Sequence, residues 1–206
     1  MASFKTEQEQ FWAGEFGKEY ANRNQGGDLV ASNLAFFTKV LNRCGSIDSV
    51  IEFGSNIGLN LVALQRLLPK AKLSAIEINP ESVEILKQNV DGVTVFPQSI
   101  LNFEPGSQWD FVLSKGVLIH INPDELPSVY DLMHRSSKRL ICVAEYYNPQ
   151  PVEIPYRGHS GKLFKRDFAG ELMDRFPDLS LVDYGFAYHR GPFPQDDLTW
   201  FLLEKR

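Results

Sequence analysis

The chain has 206 residues, of which 43% are hydrophobic and 23% charged, with a net charge of -5. That length can bury a sizeable core without disulfides or metals and suggests one domain, with room for a small cap. The acidic balance, with Lys and Arg scattered, disfavours a nucleic-acid backbone as partner. No stretch approaches the ~20 apolar residues of a membrane span, and MASFKTEQEQ at the N-terminus has no apolar signal core. The expected placement is cytoplasmic. Cys44 and Cys142 form no CxxC pair and no metal-ligand spacing, and Cys142, inside LICVA, reads as a buried reduced thiol.

In chain order, residues 6 to 43 read as helices. Phe11, Phe16 and Tyr20 share one face with Trp12 beside them, Gly26-Gly27 breaks the pattern, and Asp28 is expected to cap a helix through Leu41. DSVIEF then reads as a short buried strand and residues 57 to 68 as a helix. KLSAIEI is a strand, and Asn79-Pro80 opens a helix with Pro in its first turn. VTVF and WDFVLS are strands, Asn122-Pro123 opens a helix to about Ser136, and KRLICVAEY is a strand. RDFAGELMDRF is a helix with Asp167 near its start, and LSLVDYGFAY and DDLTWFLLEKR are the last strands. The alternation predicts an α/β fold with a mostly parallel, doubly wound sheet. The RGPFPQ turn is too short for a crossover helix, so the last strand pairs antiparallel.

The chemistry centres on VIEFGSNIGLN, residues 50 to 60. It lacks the GxxxxGK[ST] of a phosphate-binding loop, and its Gly54-x-x-x-Gly58 spacing departs from the dinucleotide fingerprint. Glu52 ahead of the turn would repel a pyrophosphate. It suits S-adenosylmethionine, which carries a sulfonium and an ammonium. Glu77, ending the second strand, is placed to accept from both hydroxyls of a ribose, a role that serves NAD and S-adenosylmethionine alike.

The run IEFGSNIGLN, followed by AIEINPES, PQSILNFEP and WDFVLSKGVLIHINPDEL, resembles the class I S-adenosylmethionine-dependent methyltransferases over roughly residues 45 to 145. FWAGEFGKEYANRN with GVLIHINPDEL is similar to small methylases associated with pseudaminic acid biosynthesis. The resemblance implies a Rossmann-like, seven-stranded sheet with the last strand antiparallel. It implies a helical lid over 1–44 and a methyltransferase domain over 45–206. Asn56 stands where the usual glycine loop has its middle glycine, which a left-handed Asn can satisfy. By the same resemblance, Gly54, Ser55 and Asn56, with Glu52 and Gly58 around them, line the methionyl part of the cofactor. Glu77 holds the ribose, Ile78 the adenine face, Ser99 and Ile100 the adenine edge, and Ser114 and Lys115 the neighbourhood of the sulfonium. From the lid, Trp12, Tyr20 and Arg23 are cofactor-binding candidates, the Tyr hydroxyl and the guanidinium suiting its carboxylate.

Methyl transfer to a neutral hydroxyl or amine must release a proton, and His120 is the leading base candidate. Its structural alternative is a helix-entry His that bonds backbone or fixes Asp124. His134 is expected on a helix surface and His189 in the last turn. Glu145, Tyr146 and Tyr147, at the carboxyl edge of the sheet, are acceptor-pocket candidates. The segment YRGHSGKLFKRDF gathers Arg157, His159, Lys162, Lys165 and Arg166 into a basic flap. Such a flap suits a small acidic, sugar-like acceptor. No metal is expected. The sequence therefore points to a methyltransferase acting on O or N of that acceptor. Two alternatives stand beside it: an NAD(P)-dependent oxidoreductase with an atypical loop, and a non-catalytic cofactor-binding accessory protein.

Overall fold

The computed structural model describes residues 4–23 and 26–206. Three helices come first: α1 (Glu7–Ala13), α2 (Glu15–Arg23) and α3 (Gly27–Val40). Then β1 (Ser49–Phe53), α4 (Leu59–Leu67), β2 (Lys72–Glu77), α5 (Pro80–Asn89), β3 (Thr94–Pro97) and β4 (Trp109–Lys115) alternate. They are followed by α6 (Leu126–Ser136), β5 (Ser137–Glu145), a small hairpin of β6 (Val152–Glu153) and β7 (Phe164–Lys165), α7 (Phe168–Arg175), β8 (Leu179–Ala187) and β9 (Leu198–Lys205).

Seven strands form one sheet in the order β3-β2-β1-β4-β5-β9-β8. Strands β1 to β5 run parallel, and β9 pairs antiparallel with both β5 and β8. The antiparallel final strand is as the short β8–β9 turn requires, but it lies inside the sheet, with β8 at the edge. Buried on both faces, the central strands are near-continuous apolar runs. On one face Ile51, Ile141, Val143 and Leu203 pack against α6 and α7 through Val129, Met133 and Leu172. On the other, Val50, Phe111, Leu113 and Leu202 pack against α3 and α4 through Phe36, Phe37, Leu61 and Leu64. Among the described residues no helix is long and apolar enough to cross a membrane. Both cysteines are free and buried.

The structure differs locally from the sequence reading. The first helix is interrupted at Gly14, whose extended backbone caps α1. Thr6 and Glu9 close a reciprocal capping box at its start. Asp28 is not a cap: Gly26, at φ 138°, takes the chain into α3 two residues sooner and leaves Asp28 in the first turn. The segment read as a flap is anchored by the β6–β7 hairpin. His134 is covered rather than superficial, stacked on Phe176 at 4.0 Å and paired with Asp178 at 2.9 Å.

Candidate active site

Strand β1 ends at Phe53 and the chain turns back over its carboxyl edge. Gly54 sits at φ 72°, and a Cβ there would lie 2.8 Å from both Val117 methyls. Asn56 takes φ 47°, the left-handed conformation that Asn tolerates. Its side-chain oxygen accepts from Ser82 Oγ at 3.1 Å, so the missing glycine is offset by a bond to α5. Gly58, at φ 82°, opens α4, and a Cβ there would sit tightly, 3.0 Å from Leu86 and 3.1 Å from Val90.

This turn forms one wall of a cavity of about 260 Å³ that α1 and α2, the segment expected to be a lid, also line. Gly54, Ser55, Asn56, Glu77, Ile78, Ser99, Ile100, Lys115 and His120 line it from the sheet edge, and Trp12 and Tyr20 from the lid. Sequence reasoning thus brings most of its cofactor candidates to one space. Glu77 is buried, and each of its oxygens accepts one backbone N–H at 2.7 Å, from Asn56 and from Asn79. Lone pairs remain for two hydroxyl donors. Burial raises its pKa against those bonds.

Glu52 is fully buried and behind the cavity wall. One oxygen accepts from Asn60 Nδ2 at 2.6 Å, while Glu52 Oε2 and Asn60 Oδ1 have no partner among the described residues. Burial pushes the Glu52 carboxyl up to about 8. Asn60 does line the cavity, so any contact from Glu52 to a ligand passes beside or through it. Lys115 is partly buried, 5.6 Å from the Phe36 ring centroid, and its pKa is lowered by burial against the pull of Glu52.

His120 stands on the turn after β4, 8% exposed, its ring 4.6 Å from Trp12 and 4.9 Å from Tyr156 between centroids. Nδ1 meets the carbonyl of Lys162. A carbonyl only accepts, so Nδ1 carries the proton and the Nε2 lone pair is free to take another. Burial lowers its pKa to about 4, so it is neutral at physiological pH.

Other expectations need correction. Arg23 does not line the cavity; its guanidinium lies 5.7 Å from the Phe16 ring and 3.5 Å from Glu19. Ser114 is internal, donating to Glu145 at 2.8 Å. Glu145 faces inward: it also accepts from the backbone N–H of Val117 and Leu118 at 3.1 Å and of Ile119 at 3.5 Å. It therefore fastens the His120 turn to β5 rather than facing an acceptor. Tyr146 packs under Lys165 and Tyr147 against Phe201. Lys162 is buried, 3.1 Å from Glu7 and over the Phe11 ring. His159 lies exposed against Phe11 and Phe16, and Arg157 is exposed with its guanidinium over Tyr156. The basic segment thus docks onto the lid, because α1 and α2 offer it Glu7 and an aromatic face.

Sequence reasoning missed Gln8, Glu9, Asn33 and Asn60, and the β8–β9 loop residues Gln195 and Asp196, all of which line the cavity. For Glu9 a signal was available, since Thr6-x-x-Glu9 is a capping-box pattern. Among the described residues no cluster of His, Cys, Asp or Glu could hold a metal ion.

Residues 50–139 match the family described as a methyltransferase domain. No curated protein matches the chain significantly. Similar solved structures include magnesium protoporphyrin IX methyltransferase from Synechocystis PCC 6803 with bound SAH, at 12% identity and TM-score 0.69, covering 96% of this chain and 98% of that one. An amino pentose methyltransferase, CalS10 of Micromonospora echinaspora, with bound SAM, has 10% identity and TM-score 0.66, covering 93% and 96%. The 1,6-didemethyltoxoflavin-N1-methyltransferase of Burkholderia thailandensis has 13% identity and TM-score 0.67, covering 100% and 92%. At these identities the likeness is one of fold. The matched domain is a methyltransferase domain, and the fold is that of methyltransferases that bind S-adenosylmethionine.

Proposed function

We propose that the protein is an S-adenosylmethionine-dependent methyltransferase that methylates oxygen or nitrogen of a small, sugar-like acceptor. The observation that carries this is one cavity whose wall unites the Gly54–Asn56 turn, the Glu77 carboxylate and the His120 ring. The cofactor fits these residues. Glu77 has lone pairs for the ribose hydroxyls, and Asn60 Oδ1, unpartnered among the described residues and in the cavity wall, is an acceptor suited to an ammonium beside the loop, with Glu52 behind it. Gly54, Ser55 and Asn56 hold the methionyl part, Ile78, Ser99 and Ile100 the base. When bound, S-adenosylmethionine supplies a methyl group activated on a sulfonium.

The chain's own residues bind, align and exclude water. Trp12 and Tyr20 close the cavity from above. His120 Nε2 takes the proton released by the acceptor's hydroxyl or amine, while Nδ1–H stays on the Lys162 carbonyl and fixes the ring. A base with a pKa of about 4 is weak, but it is unprotonated throughout the physiological range.

For an acidic acceptor, as the resemblance to pseudaminic acid-associated methylases suggests, the support narrows to Arg157. Lys162 is paired with Glu7, Arg166 with Glu171 at 2.6 Å, and Lys165 is held by Tyr146. The amino pentose methyltransferase shares this fold with a sugar acceptor, which is consistent with the sugar-like reading.

The test is equilibrium binding and turnover. S-adenosylhomocysteine at a hundredfold excess over its Kd stabilises the fold by about 2.7 kcal/mol, and NAD(P) leaves it unchanged. Protection by NAD(P) instead, or no transfer of labelled methyl to any small molecule of a cell extract, would overturn the reading.

A further inference from the structure

Few buried side-chain polar atoms lack a partner among the described residues, and apart from Ser136 Oγ at the end of α6 they belong to the cavity wall or, for Glu52, lie just behind it. Besides Glu52 and Asn60, they include Gln8 Oε1, Glu9 Oε1 and Trp12 Nε1, all from the cavity-facing side of α1. Glu9 stands apart because its place is fixed twice. Its Oε2 accepts from the backbone N–H of Lys5 at 2.7 Å and of Thr6 at 2.8 Å, which locks the carboxylate. Lys5 Nζ in turn bonds the carbonyl of Leu101 at 2.8 Å, tying this corner of the lid to the turn after β3. Glu9, Thr6, Gln98, Ser99, Ile100 and Leu101 all line the cavity, and the Lys5–Leu101 bond brings the two segments together. The turn after β3 brings no carboxylate into the cavity wall: Gln98 and Ser99 offer only uncharged acceptors, and the Ser99 hydroxyl already accepts from the N–H of Leu101 at 3.0 Å. The wall that receives the base therefore lacks a strong acceptor, and the lid supplies one, 7% exposed and half unbonded.

We propose that Glu9 reads the exocyclic amine of the cofactor's adenine through Oε1, so that the lid helix is a base-recognition element as well as a cover. Gln8 and Trp12 are held elsewhere: Gln8 Nε2 bonds the Gly161 carbonyl at 2.9 Å, and the Trp12 ring lies on His120. A carboxylate oxygen with a free lone pair needs an N–H or O–H donor, and the amine is the donor on the adenine edge. The proposal rests on the S-adenosylmethionine reading above.

The experiment measures two ligands by calorimetry on the full chain: S-adenosylhomocysteine, and its analogue lacking the 6-amino group. The wild type binds the amino form about 10- to 100-fold more tightly, the range of a hydrogen bond to a charged acceptor. In Glu9→Gln the amide oxygen stays with the Lys5 and Thr6 N–H groups and the amide nitrogen, a donor, faces the cavity, so the ratio falls close to one. Glu9→Ala lowers the ratio in the same way. Thr6→Ala loosens the same helix cap but keeps the carboxylate, so both affinities fall together and the ratio is retained. Because each ratio is taken on a single variant, a destabilised lid cancels out. A wild-type ratio carried over unchanged into Glu9→Gln and Glu9→Ala overturns the proposal and leaves the cofactor assignment standing. Failure of the wild type to bind S-adenosylhomocysteine at all overturns the cofactor assignment itself.

Discussion

Removing the Glu145 carboxylate tests whether one buried acid holds the turn that carries His120. Ser114 Oγ and the N–H groups of Val117, Leu118 and Ile119 all point at it, and its residue is 2% exposed. Glu145→Ala strands these donors, at about 1–3 kcal/mol for each buried group left unsatisfied. Allowing for partial relaxation and water entry, the expected loss is about 3–6 kcal/mol, a large share of the stability of an ordinary domain. Glu145→Gln keeps an oxygen for the three shorter bonds and sets its amide nitrogen against the weakest, at Ile119. It also removes a charge that burial disfavours, since the carboxyl is pushed up to about 7. Its loss is therefore smaller, about 1–2 kcal/mol. The same turn brings Val117 against Gly54, so Glu145→Ala weakens S-adenosylhomocysteine binding as well. Urea unfolding gives the first quantity and calorimetry the second. If Glu145→Ala unfolds within about 1 kcal/mol of the wild type, the carboxylate does not hold the turn. If stability falls as expected while ligand affinity is intact, the link through Val117 is wrong.

Glu77→Ala removes the acceptor proposed for two ribose hydroxyls, and calorimetry is expected to show a loss of about 1–3 kcal/mol in S-adenosylhomocysteine binding. Gly54→Ala forces a Cβ onto Val117 at a positive φ, and both cofactor affinity and thermal stability fall; retention of either at wild-type level would argue against the close approach. His120→Asn leaves cofactor binding near wild type and lowers turnover by about 10²–10⁴, and the wild-type acid limb of kcat/KM lies near pH 4 rather than 6.5. With its pKa depressed in the fold, His120 favours the folded state above pH 6.5 and loses that contribution as pH falls through about 4, up to about 3 kcal/mol. His120→Asn therefore shows a shallower acid decline in denaturation midpoints. Glu52 and Glu145, raised by burial, work in the opposite sense: their contribution is full below pH 4.5 and is lost as pH rises through about 8 and 7, so Glu145→Gln flattens the alkaline decline.

The strands and the glycine turn were legible because burial on both faces writes an apolar run, and a reversal over the sheet edge needs left-handed residues at fixed places. Gly54, Asn56, Glu77 and His120 were readable as neighbours in one cavity because each stands at the carboxyl end of a parallel strand or in the turn that follows it. Glu145 was misread because chain position puts it at the right edge of the sheet but does not tell inward from outward. Three backbone donors from a different segment decide that. Lys162 and Arg166 looked free because their partners, Glu7 and Glu171, are set by tertiary packing. Glu9 could be read as a helix cap, but its second oxygen acquires meaning only once Lys5 fastens that corner to Leu101.

The slot between β5 and β8 has a consequence for how the molecule is made. Strand β9 leaves the ribosome after every other strand, yet it alone bonds β8 to the sheet, and Leu202 and Leu203 within it are fully buried. Until it arrives, β5 offers an open edge and β8 has nothing to pair with. The nascent chain therefore holds a half-sheet bounded by Leu140–Ala144, a template for wrong partners. A ribosome paused just before Leu198 would hold a product that needs chaperone cover.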